Sequence, residues 1–94
     1  MSQEKLILVV NVQANRETGS ISAVYMQIRP GRASEVIELA DGNAFANYDI
    51  DGRLLGIELL APCEVSVLNK LTKKEPRQVR TFFRQGIPRK MVLA

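Results

Sequence analysis

The sequence predicts an α+β fold: an antiparallel five-stranded β-meander followed by two short C-terminal helices and an extended tail. Apolar stretches of strand length, separated by turn residues, recur through the first sixty residues. Pro62 and Pro76 then each precede a stretch whose apolar residues recur at helical spacing. A chain of 94 residues is the size of one domain, with residues 1–60 forming the meander, 61–86 the helices and 87–94 the tail.

The first strand, Lys5–Gln13, is apolar on both parities, with Leu6, Leu8, Val10 and Val12 on one side and Ile7 and Val9 on the other. A loop from Asn15 to Ser20 leads to the second strand, Ile21–Arg29, in which Val24, Met26 and Ile28 oppose a mixed set of Ala23, Tyr25 and Gln27. Pro30-Gly31 supplies a turn into the third strand, Ser34–Ala40. Asp41-Gly42 tolerates the positive φ angles of a tight hairpin and joins it to the fourth strand, Asn43–Asp49. Asp51-Gly52 repeats the signal before the fifth, Arg53–Leu60. There Leu55, Ile57 and Leu59 are expected to face opposite to Leu54, Gly56, Glu58 and Leu60.

Pro62 fits the first turn of a helix that reaches Leu71, because its missing N–H has no intrahelical partner there. Pro76 opens a second helix in which Val79, Phe82 and Phe83 make an apolar stripe, Arg77, Arg80 and Arg84 occupy other angles, and Gly86 is the stop. Met91, Val92 and Leu93 suit an extended segment that docks. Two helices cover one face of a sheet, whereas the first and fifth strands are apolar on both sides. The surplus predicts a homo-oligomer, a dimer above all, formed through the uncovered sheet face or a sheet edge.

Composition restricts the chemistry. The chain has no histidine, so the usual seryl triad and the commonest metal ligand are missing. A single cysteine, Cys63, has no partner for an internal disulfide, and its position near a helix start is read as packing rather than as a reactive thiol. There is no glycine-rich phosphate loop, no apolar run of the ~20 residues that span a bilayer, and no signal-peptide pattern at the N-terminus. Asn47, Asp49, Asp51, Gly52 and Glu58 match the spacing of a calcium loop, but the flanking residues alternate as strands, and a hairpin turn accounts for Asp-x-Asp-Gly without an ion. Carboxylate pairs such as Glu35 with Glu38 or Asp49 with Asp51 are ordinary solubilising groups near turns. The expectation is a cytoplasmic, non-enzymatic protein without a cofactor or metal.

Charge is unevenly distributed. Residues 1–69 carry five basic and nine acidic side chains, a net −4, and residues 70–94 carry eight basic and one acidic, a net +7. Lys73, Lys74, Arg77, Arg80 and Arg84 are the candidate contacts for an acidic protein or for nucleic-acid phosphates. The competing explanation is a solvated helix face that complements the acidic sheet.

Three segments, Tyr25-Met26-Gln27-Ile28, Val36-Ile37-Glu38 and the run from Tyr48 to Leu60 with its Asp-x-Asp-Gly-x-x-x-Gly-Ile-Glu-x-Leu hairpin, resemble the bacterial proteins grouped as domain-of-unknown-function family 2283. The resemblance covers Ile21 to Leu60, and this chain has Ser22 where the family usually has an aspartate. It implies a small β-rich domain and no activity, and the toxin-like neighbours of some members imply an antitoxin-like or regulatory role. The sequence therefore points first to a protein-interaction module that meets an unidentified protein partner through its C-terminal helices. The alternative is nucleic-acid binding through the same basic helix, and an unrecognised enzyme comes third.

Overall fold

The computed structural model describes residues 6–39, 42–60 and 66–86. Five strands, β1 (Val9–Ala14), β2 (Ile21–Gln27), β3 (Glu35–Leu39), β4 (Ala44–Tyr48) and β5 (Leu54–Leu60), form one antiparallel sheet. Helices α1 (Ser66–Leu71) and α2 (Arg77–Gly86) follow, so the α+β class expected from the sequence is the one observed. Pro62, Cys63 and the tail from Ile87 to Ala94 lie outside the described residues.

The strand order is β1-β2-β5-β4-β3, which corrects the simple meander. β3, β4 and β5 are a meander joined by two hairpins, but β5 inserts beside β2 and the β2–β3 connection crosses to the far edge, a Greek-key arrangement. Burial explains the order. β5 has apolar residues on both sides and β2 a row of Val24, Met26 and Ile28, and these two strands contribute most of the core from the middle of the sheet. The crossover spans three strand spacings, ~14 Å, within reach of seven extended residues at ~3.3 Å each. It is pinned over the end of the β4–β5 hairpin: the amides of Ile28 and Arg29 donate to Leu55 O at 2.8 and 3.3 Å, and that of Ser34 to Tyr48 O at 2.8 Å.

A bulge overturns the expected facing of β5. Tyr48 pairs with Leu54 while Asn47 pairs with Gly56, so two residues on β5 oppose one on β4. The extra residue shifts the parity. Leu54 joins Ile57 and Leu59 in the core, and Leu55 instead packs beneath the crossover, where a Cβ on Gly31 would lie 3.2 Å from its methyl group.

Both helices lie on one face of the sheet. Leu68 of α1 and Val79 and Phe83 of α2 are fully buried against Val24, Met26, Ile28, Ala44, Ala46, Leu54, Ile57 and Leu59. Phe82 is only partly buried, its ring 5.5 Å from that of Phe83 and tilted by 58°. Each fully buried side chain of this size contributes about 1.5–3 kcal/mol of transfer free energy. On the opposite face Tyr25 aligns with Glu58 and Phe45, and Gln27 with Gly56 and Asn47. Asn47 Nδ2 donates to Tyr25 Oη at 3.2 Å, and the Tyr25 ring lies over Gly56, whose missing side chain leaves the room.

Candidate functional site: the basic face of the helices

Arg77, Arg80 and Arg84 follow the i, i+3, i+7 spacing that places three side chains on one stripe of a helix. At 100° per residue, Val79 and Phe83 project about 110° round the helix from this stripe, and both are buried in the core. Docking of that apolar side against the sheet therefore turns all three arginines outward, and all three are exposed. The first turn of α2 carries no acidic residue, so the positive end of the helix dipole adds to Arg77 instead of being neutralised.

The turn from α1 into α2 brings in the remaining groups. Thr72 Oγ1 donates to Leu68 O at 2.7 Å and its amide to the same carbonyl at 2.9 Å, which closes α1 and buries Thr72. A groove of about 440 Å³ lies between the helices, lined by Asn69, Thr72, Lys73, Arg80 and Arg84. The structure thus gathers Lys73, Arg80 and Arg84 around one opening. Arg77 extends their row along α2, and Lys74 sits exposed on the connecting turn outside the groove lining. Asn69 and Thr72 were not singled out by the sequence; their spacing of three across the end of α1 is the signal that places them together.

Glu75, the one acidic side chain of residues 70–94, does not serve this face. Its Oε1 accepts from Arg29 Nη2 at 2.7 Å, with the two side chains only 14% and 9% exposed. Arg29 Nη1 also donates to Leu54 O at 2.8 Å, so the crossover, β5 and the α1–α2 turn are tied at one point. Burial and then the charges of Glu75 and Glu35 raise the pKa of Tyr48 beside this pair. Among the described residues, Lys70, Lys73, Lys74, Arg77, Arg80 and Arg84 have no ion-pair partner.

The acidic turn does other work. Asp49 Oδ1 accepts the amides of Asp51 and Arg53 at 2.9 Å each, and Oδ2 accepts Arg53 Nε at 3.0 Å. The backbone amide of Arg53, with its guanidinium and the amide of Asp51, holds the Asp49 carboxyl below its ordinary pKa despite some desolvation. Asp51 Oδ2 lies 3.4 Å from Arg53 Nη2, and Glu58 sits on β5 between Tyr25 and Phe45. Among the described residues no three histidine, cysteine, aspartate or glutamate side chains gather as a metal site, and no helix is long and apolar enough to cross a membrane.

No family model, curated protein or solved structure matches the chain.

Proposed function

We propose that this chain is a non-enzymatic interaction module of the cytoplasm whose α1–α2 face docks an acidic segment of a partner protein. The carrying observation is that Glu75 is engaged with Arg29 beneath the helices, so Lys73, Arg77, Arg80 and Arg84 present uncompensated charge around a groove. No ion pair joins these cations to a described carboxylate, so none has to be broken before an acidic partner is met. The resemblance to family 2283 supports a regulatory, antitoxin-like setting.

Nucleic acid is the second reading, favoured by the same density of cations. The aromatic residues weigh against it. Phe83 is wholly buried and Phe82 packs against the core, so neither forms a platform on which bases stack.

The test is fluorescence anisotropy with two probes, a poly-glutamate peptide and a mixed-sequence DNA duplex. The triple variant Arg77→Glu, Arg80→Glu, Arg84→Glu, folded by circular dichroism, is expected to lose binding to the peptide at least ~10-fold, as buried charged contacts worth over ~1.4 kcal/mol require. Tighter binding to DNA, with a log–log salt slope near −3 as about three released counterions give, establishes the second reading instead. Equal binding by wild type and triple variant refutes both.

A further inference from the structure

We infer that the outer edge of β1 is the docking edge for a second copy of this chain, giving a two-fold dimer with one continuous ten-stranded sheet. The sheet has two edges, and they differ in kind. β3 carries Glu35 and Glu38 within its five residues, the inserted charges by which natural edges resist pairing. From Leu6 to Asn15 the β1 side has neither a charge nor a proline, and its only irregularity is the register shift at Gln13/Ala14. Every second N–H and C=O of β1 points away from β2, and among the described residues no strand lies beyond it.

The side chains agree. Of the eight large hydrophobic residues exposed among the described ones, five, Leu6, Leu8, Val9, Val10 and Val12, lie on this one segment. Val10 and Val12 align with Met26 and Val24, the buried core row, yet stay 37% and 48% exposed, and Leu8 51%, because they lie at the rim of the area that the two helices cover. Hydrophobic side chains on the core face of an edge strand are matched by the same row continued across a strand interface.

A second copy fits this edge without repulsion. A two-fold axis normal to the sheet keeps both helical layers on the same side. Centred on Val10, it sets Val10 opposite its own copy and Leu8 opposite Val12, apolar against apolar, over a segment free of charge. The same operation at β3, centred on Val36 or on Ile37, sets Glu35 against Ile37 or Leu39 and Glu38 against Ser34 or Val36, so each glutamate is brought into the new seam without a partner charge. The dimer also directs both basic faces to one side, although it stands independently of what those faces bind.

The experiment is sedimentation velocity on the full chain, up to ~100 μM because a strand-edge interface falls below the ~800 Å² per partner of standard complexes. Wild type sediments as a dimer. Val10→Lys, an exposed-site change that places lysine against lysine, weakens association by about 30-fold, the equivalent of two contributions of about 1 kcal/mol each. Val36→Lys, on the other edge, leaves the dimer intact. Circular dichroism confirms that both variants fold, and Val12→Lys repeats the test at a second position. Hydrogen exchange adds a readout, because alternate β1 amides are protected only in the dimer. A wild-type monomer at that concentration overturns the inference, including one whose β1 amides are protected by another segment of the chain. So does a dimer disrupted by Val36→Lys and indifferent to Val10→Lys.

Discussion

Removing Glu75 from Arg29 tests how the helices are held on the sheet. The pair is short at 2.7 Å and nearly enclosed, and it links the β2–β3 crossover to the α1–α2 turn, 46 positions further along the chain. Breaking a wholly buried ion pair from one side costs about 3–5 kcal/mol, and a charged hydrogen bond about 1.5–3. Arg29 retains the Leu54 carbonyl and its other interactions, so Glu75→Ala falls in the lower range, at about 2 kcal/mol. A domain of this size has about 5–14 kcal/mol in total and loses ~4–8 °C of Tm per kcal/mol, so the melting temperature should fall by about 10 °C. Glu75→Gln keeps an acceptor oxygen and should cost less. A double-mutant cycle with Arg29→Met should return about 1–2 kcal/mol of coupling. Thermal melts by circular dichroism measure all four species. A Tm for Glu75→Ala within ~2 °C of wild type, or a coupling indistinguishable from zero, refutes the tie.

Three further outcomes follow from the same geometry. The Asp49 pKa is lowered, so the stability it adds is complete above the unfolded value of 3.8 and is lost as pH falls through the lower native value. Asp49→Asn should therefore flatten the acid limb of the stability curve below that pH and leave its alkaline limb unchanged. Tyr48 has the opposite sign: its pKa is raised above 10.0, so its contribution is complete below that pH and is lost as pH rises through the native value. Phenolate absorbance in Glu75→Gln should show Tyr48 ionising at lower pH than in wild type, with burial still holding it above the ordinary value. Gly56→Ala should destabilise by about 2 kcal/mol in a denaturant titration, because the new methyl meets Met26 O and Tyr25 Oη at 2.8 Å.

Local signals were legible and long-range ones were not. The alternation of Val24, Met26 and Ile28 against Ala23, Tyr25 and Gln27 identifies the core face of β2 from sequence, and all three predicted residues are fully buried. Glycines at 42 and 52 mark the two hairpins, each with positive φ. These cues act between neighbours in the chain. Nothing between Ile28 and Ser34 encodes which edge β3 joins, so the insertion of β5 beside β2 escaped a reading built on adjacent pairs. The bulge at Leu55 escaped for a similar reason: strict alternation assigns it inward, and only the register against Asn47 and Tyr48 reveals the extra residue. At the candidate site the cations were evident from composition. That Glu75 turns under the helices toward Arg29 depends on a contact 46 residues distant, beyond any local pattern.

The two surfaces obey different physics. The basic face, as proposed, would act through exposed charges, whose attraction weakens as salt shortens the Debye length from ~10 Å at 0.1 M to ~3 Å at 1 M. The β1 edge, as proposed, would act through backbone hydrogen bonds and apolar burial on a segment without charge, which screening leaves untouched. Because the proposed axis keeps both helical layers on one side, dimerisation doubles the number of arginine rows presented to an anionic surface without altering either row. Affinity for a long acidic partner should then depend on β1 through valency and on Arg77, Arg80 and Arg84 through charge. Moderate salt would remove the second dependence and preserve the dimer, whereas a single shared surface would lose both together.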